Sequence, residues 1–242
     1  MVQASNVFLV SGNAGQGKTT IAKNLAFALR NFGFDVLLVD GDMKTPKLGH
    51  HVGMPLAQKT IQDVLLGLRS LNDAVYRRPS GLKLLLSGLG QAEVPHPSKL
   101  LPELRKLADT VIIDVPANDN AWYETKCETI LITQPDFPSV LELRKLFRYV
   151  NVNSVIINRM HDDGIDLSPG NVQELLQASI LGVVPSEPLM REALRHGYSV
   201  IEFHPELRAS IMLKQIAAKL MNVEYESPLR KVPLLEKLGL IS

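Results

Sequence analysis

Residues 7–21 read VFLVSGNAGQGKTTI: an apolar run, then Gly12, four further residues, Gly17-Lys18-Thr19, and the start of an amphipathic helix. This is the spacing of a phosphate-cradling loop, in the strand, loop and helix order that gives the pattern its meaning. Gly12, Gly15 and Gly17 carry no Cβ, so the loop can bend sharply and turn its backbone N–H groups inward onto phosphate oxygens. Lys18 offers a mobile positive charge to the β- and γ-phosphates, and the Thr19 hydroxyl offers a ligand to Mg²⁺. The helix that follows points its positive end at the same anion. The expected ligand is therefore a nucleoside triphosphate with Mg²⁺. The expected contacts are Gly12, Asn13, Ala14, Gly15, Gln16, Gly17, Lys18, Thr19 and Thr20.

Outward from this loop, short β-branched or leucine-rich runs alternate with helical patterns. That alternation predicts a mostly parallel sheet with helices on both faces. Strands are expected over 7–10, 36–39, 82–86, 111–114, 129–132, 154–157 and 180–184. Helix one carries Ile21, Leu25, Leu29 and Phe32 at helical spacing and stops at Gly33; further helices are expected over 61–67, 97–108, 139–149, 169–178, 189–196 and 205–221. The fold class is thus α/β, a three-layer nucleoside-triphosphatase fold with a twisted sheet of about seven or eight strands. No repeat or long linker divides the chain, so residues 1–226 are expected to form one domain, with 227–242 as a tail.

Composition sets outer limits. The 242 residues suffice for one α/β core, and 45% apolar with 21% charged is ordinary globular usage. The net charge of +1 gives no pull of the whole chain toward nucleic acid. The single cysteine, Cys127, excludes an internal disulfide or a Cys-x-x-Cys metal pair, and reads as packed rather than reactive. Neither a leader pattern nor an apolar run long enough to span a bilayer is present, so a cytoplasmic protein is expected.

In such a sheet the ligand lies beyond the carboxyl ends of the strands, and acidic residues gather there. The second strand ends in Asp40-Gly41-Asp42, the fourth in Ile112-Ile113-Asp114-Val115-Pro116. Asp40 and Asp42, one residue apart beside the phosphate loop, can share the work of holding a metal shell and orienting a water; Asp114 sits where an outer-shell Mg²⁺ acid belongs.

The phosphate loop, Asp40-Gly41-Asp42 with Pro46 and Leu48, the Asp114 segment, Ile156-Ile157-Asn158-Arg159, and Leu181-Gly182-Val183-Val184-Pro185 followed by Arg191-Glu192-Ala193-Leu194-Arg195-His196-Gly197 together resemble the MinD/ParA family of ATPases. The likeness is nearest to archaeal MinD-like chains and runs from about Val7 to Leu220 in the family's order. It implies ATP and Mg²⁺ as cofactors, Lys18 and Asp42 as catalytic residues, and Thr19, Asp40 and Asp114 around the metal. It further implies Asn158 on the adenine edge, with Val184 and Pro185 packing the base. It also implies an ATP-dependent homodimer and a slow switch that recruits a partner to position or partition a cellular cargo. Two rival functions share the fold: a metallocentre or cluster maturation ATPase, and a non-catalytic ATP-binding regulator. Adenine is favoured on chemical grounds as well, because a guanine reader ends in a carboxylate whereas Asn158-Arg159-Met160-His161 ends in histidine.

One position departs from the family. Where its members carry a lysine that reaches the partner's nucleotide, this chain has Asn13, followed by Ala14 in place of glycine. An amide cannot neutralise charge developing on a γ-phosphate, so either Lys44 or Lys47 substitutes or hydrolysis is slow. His50-His51 reads as structural, since neighbouring residues point apart. Trp122-Tyr123 reads either as partner surface or as a loop anchor. The tail, from Ser227, places Leu234, Leu235, Leu238 and Ile241 on one face of a short helix after Arg230-Lys231, resembling the membrane-docking tail of bacterial MinD. Three destinations fit residues 228–242: the inner face of the cell membrane as a peripheral contact, the chain's own domain, or a protein partner.

Overall fold

A computed structural model describes residues 6–89 and 94–228. Among them, eight strands form one sheet: β1 (Asn6–Ser11), β2 (Val36–Asp40), β3 (Tyr76–Arg77), β4 (Lys83–Leu85), β5 (Thr110–Asp114), β6 (Glu128–Thr133), β7 (Val152–Met160) and β8 (Ile180–Pro185). Their spatial order is β3-β4-β2-β5-β1-β6-β7-β8, and all neighbours are parallel except β3 against β4. The chain leaves β1 for β2 on one side and leaves β5 for β6 on the other. The loops after β1 and β5 therefore part at the sheet's carboxyl edge, where such folds hold ligands.

The helices are α1 (Lys18–Asn31), α2 (Leu48–His51), α3 (Ile61–Leu65), α4 (Leu71–Ala74), α5 (Leu101–Leu104), α6 (Asn120–Tyr123), α7 (Phe137–Leu146), α8 (Pro169–Leu176), α9 (Leu189–Arg195), α10 (Val200–Phe203) and α11 (Arg208–Leu220). The seven expected strands form, and β3 is an addition whose two residues are too few to show alternation. The helix expected over 97–108 is shorter, a 3₁₀ turn at Pro97–Leu100 leading into α5, because Pro102 follows directly and both prolines favour first-turn positions. The brief α2, α4, α6 and α10 escape periodicity for the same reason as β3.

Both faces of the central strands are apolar because both are covered. Phe8, Val10, Leu38 and Ile112 point to one side, under Leu25 and Leu29 of α1 and Leu213 and Ile216 of α11. The intervening Leu9, Leu37, Val111 and Ile113 point to the other, where Leu104 and Trp122 pack. Beyond them Leu131, Val155 and Ile157 meet Val140 and Leu143 of α7 and Val172 of α8. Each buried leucine or isoleucine contributes about 1.5–3 kcal/mol to holding these layers together. The α11 packing is close enough that a Cβ on Gly182 of β8 would lie 2.3 Å from Ile216 Cγ1.

Candidate nucleotide site

The phosphate loop needs its glycines for measurable reasons. Gly12 has φ +139°, and a Cβ there would stand 2.4 Å from the Ile132 carbonyl oxygen of β6. Gly17 caps α1 with φ +92°, and a Cβ there would stand 2.3 Å from Asn158 Nδ2. The loop is braced from outside. Gln16 Oε1 accepts from the Gln134 N–H at 2.7 Å, Gln16 Nε2 donates to Ser139 Oγ at 3.1 Å, and Asn158 Nδ2 donates to the Gln16 carbonyl at 2.8 Å. The Gln16 side chain thus fixes the loop to the β6–α7 connection. Lys18 Nζ rests on the Asn13 carbonyl at 3.1 Å, and Ala14 stands exposed at the loop tip.

A cleft of about 550 Å³ opens over this loop, within the size range of small-molecule sites. Gly15, Gly17, Lys18, Thr19, Thr20, Asp42, Asp114 and Asn158 line it, so most of the residues singled out in the sequence converge. Thr19 Oγ1 donates to Asp114 Oδ2 at 2.5 Å, while Asp114 Oδ1 is buried with no partner among the described residues. Burial pushes the Asp114 carboxyl up to about 6, against the opposing pull of the Thr19 hydrogen bond and the Lys18 charge. A hydroxyl and a carboxylate joined beside a phosphate loop suit a hard cation that takes its other ligands from phosphate and water. Among the described residues no group of three or more His, Cys, Asp or Glu side chains could hold a metal unaided.

Asp40 and Asp42 divide their work differently from the sequence expectation. Asp40 is wholly buried and does not reach the cleft: Oδ1 accepts from the Asp42 N–H and Oδ2 from the Leu48 N–H, each at 3.2 Å. Burial, with repulsion from Asp114, pushes its carboxyl well above the usual range. It shapes the loop between β2 and α2. Asp42 does line the cleft, and its oxygens accept from the Lys44 N–H at 3.1 Å, the Thr45 N–H at 2.8 Å and Thr45 Oγ1 at 2.8 Å. Gly41 joins the two acidic loops, its N–H donating to the Asp114 carbonyl at 2.9 Å and its carbonyl accepting from Trp122 Nε1 at 3.2 Å. Trp122 is fully buried, and the Tyr123 hydroxyl bonds Ser11 Oγ at 2.8 Å, so this pair is a loop anchor.

At the opposite end Asn158 is 3% exposed, its Oδ1 buried and unpartnered. Val184 lies beside it in register but is fully buried beneath the surface, and neither Val184 nor Pro185 lines the cleft. Ser186, Glu187 and Pro188 line it instead, with Met190, Arg191 and Leu194 of α9, and His51 from α2. Met190 and Leu194 share a helix face at four-residue spacing, a signal visible in sequence without showing what that face meets. Burial, reinforced by Lys23 and other cations, holds the His51 imidazole down to about 4, so it is neutral. Two cations tie the walls beneath: Lys23 Nζ donates to the His51 carbonyl at 2.9 Å and the Tyr198 carbonyl at 2.6 Å, and Arg78 to the Val52 carbonyl at 2.7 Å and the Gly197 carbonyl at 3.4 Å.

Comparison with known proteins agrees with this geometry. The profile of the CobQ/CobB/MinD/ParA nucleotide binding domain matches residues 7–200. An ATP-binding protein of Methanocaldococcus jannaschii is 28% identical over 95% of this chain and 92% of its own length. The septum site-determining protein MinD of Pyrococcus horikoshii, solved with Mg-ADP, superposes with a TM-score of 0.76 at 27% identity, covering 89% of this chain and 95% of that one. The MinC:MinD cell division complex of Aquifex aeolicus contributes a chain with a TM-score of 0.81 at 23% identity, covering 94% of this chain and 99% of that one; this likeness is one of fold.

Proposed function

The chain belongs to the CobQ/CobB/MinD/ParA nucleotide-binding family, and from that membership we propose that it binds Mg·ATP, hydrolyses it and acts as a switch that dimerises or recruits a partner in the ATP state. The observation that carries this reading is the placement of buried polar atoms without partners. Asp114 Oδ1, Asn158 Oδ1 and His51 Nδ1 belong to cleft-lining residues, and Asn13 Nδ2 to the loop beside it. A buried polar atom left unpaired costs about 1–3 kcal/mol, and four of the seven such side-chain atoms among the described residues gather at this cleft, which supports a polar ligand there.

Each residue then has a task. The loop N–H groups and Lys18 hold phosphate oxygens. Thr19 and Asp114 hold Mg²⁺, which supplies charge neutralisation at the phosphates. Asn158 reads the base: its Nδ2 is committed to the Gln16 carbonyl, and a small shift of the side chain turns the unpartnered Oδ1 to the base, where an acceptor selects the amino group of adenine over the keto oxygen of guanine. Asp42 orients the attacking water. Partner recruitment through the phosphate end is supported by α7, which is bonded to the loop through Ser139 and exposes Phe137 and Leu141.

Steady-state phosphate release tests the reading. Lys18→Ala abolishes nucleotide binding. Asp42→Asn keeps Oδ1, the acceptor of the Lys44 and Thr45 N–H groups, yet lowers hydrolysis on the order of 10²-fold with ATP affinity nearly unchanged. Wild-type turnover in Asp42→Asn makes Asp42 a turn residue alone.

A further inference from the structure

The position that deprives the phosphate loop of the family's cation is Asn13, whose amide is 8% exposed and carries no charge. The candidate replacements in sequence are Lys44 and Lys47, and the structure separates them. Both are exposed, but Lys44 does not line the cleft, whereas Lys47 lines it together with Lys18, Thr19, Asp42 and Asp114. The peptide unit that follows Lys47 is held at both of its polar groups, because Asp40 Oδ2 accepts from the Leu48 N–H at 3.2 Å and the Lys47 carbonyl accepts from the His51 N–H at 3.2 Å. Its side chain, by contrast, caps nothing and has no hydrogen-bond or ion-pair partner among the described residues. Arg159 and Arg191 also line the cleft, but beside Asn158 and Pro188, at the base end.

We propose that Lys47 supplies, from within the same chain, the second positive charge at the triphosphate, so that the site needs no cation at position 13 and none from a partner. This rests on the reading of the cleft as a Mg·ATP site. Lys47 lies close enough to both Lys18 and Asp114 for its charge to act on each. Two cations and a carboxylate that sense one another around an open cleft form a receptor for an anion of high charge.

In hydrolysis a water oxygen bonds the γ-phosphorus as the bond from that phosphorus to the β–γ bridging oxygen breaks. The electron pair leaves on ADP, and the water proton passes to the released phosphate and then to solvent. Negative charge builds on the γ-phosphate and bridging oxygens during this step, and a second ammonium there lowers the barrier. ADP lacks the γ-phosphate, so Lys47 distinguishes ATP from ADP more than it contributes to either alone.

The test uses the full-length chain as wild type, Lys47→Ala, Lys47→Arg and Lys44→Ala, with calorimetry of Mg·ATP and Mg·ADP binding and single-turnover phosphate release. Lys47→Ala is expected to weaken ATP about tenfold, ADP less than about threefold, and to slow hydrolysis on the order of 10²-fold. Lys47→Arg restores most of both losses, and Lys44→Ala matches wild type. Because the Lys47 side chain has no hydrogen-bond or ion-pair partner among the described residues, its variants keep the wild-type thermal midpoint. A Lys47→Ala protein with the wild-type ratio of ATP to ADP affinity and the wild-type rate overturns the proposal while leaving the ATP site intact. A wild-type protein that binds neither nucleotide overturns the reading beneath it.

Discussion

Asn158 performs two tasks with one amide. Its Nδ2 braces the Gln16 carbonyl of the phosphate loop, and its Oδ1 remains for a ligand. From sequence alone, removing it should cost base discrimination and leave phosphate affinity whole. The brace changes that expectation: Asn158→Ala should weaken ATP and ADP alike, by about tenfold for a lost buried hydrogen bond, as well as relax the choice between ATP and GTP. Equilibrium binding of the three nucleotides checks it, and undiminished ADP affinity rejects the brace. His51 carries a pH signature of its own. Burial holds its folded pKa down to about 4, below the ordinary 6.5 of a free imidazole, so the folded chain binds fewer protons than the unfolded one between those values. Stability contributed by neutral His51 is therefore present above 6.5 and lost as pH falls toward 4. The thermal midpoint of wild type relative to His51→Gln should fall over that window, and parallel curves would contradict the burial of this ring.

At the scale of elements, the acidic loops act as one body because Gly41 and Trp122 join them. A Cβ on Gly41 would lie 2.8 Å from the Asp114 carbonyl oxygen, so the close approach requires glycine. Trp122→Ala should cost about 3–5 kcal/mol in denaturant unfolding and loosen Mg²⁺-dependent nucleotide affinity through the Asp42 loop. A variant that loses stability but keeps affinity disconnects the anchor from the site. Gly182→Val, under Ile216, should cost about 1–3 kcal/mol by overpacking without touching the cleft. These elements were unequally legible in the sequence. The long apolar strands and the α1 stripe announce themselves through period, and the phosphate loop through glycine chemistry. The two-residue β3 and four-residue α2 are too short for either signal. The α9 wall was visible as a helix face, but its position depends on Lys23 and Arg78 holding carbonyls contributed by segments far apart in sequence. Asp40 was hidden for a local reason: its oxygens are taken by the N–H groups of Asp42 and Leu48 in the following loop, a use that no spacing of residue types marks.

At the scale of the whole molecule, the nucleotide site occupies the carboxyl edge of the sheet and α7 carries exposed Phe137 and Leu141 beside it. Among the described residues no helix is long and apolar enough to cross a membrane. The tail from 229 onward lies outside the described residues, so its proposed lipid contact is a matter for sedimentation with anionic vesicles. Pelleting in the ATP state that vanishes when the chain is cut after Glu226 supports docking, and pelleting that survives the cut rejects it. The proposed switch depends on an adenine nucleotide with Mg²⁺ filling the cleft. The most direct measurement is calorimetric titration of the purified chain with Mg·ATP and Mg·GTP. Phosphate capture by Lys18 and base selection by Asn158 Oδ1 predict clear ATP binding at least about tenfold tighter than GTP, worth about 1.4 kcal/mol. Equal affinity for the two nucleotides, or no heat from either, contradicts it.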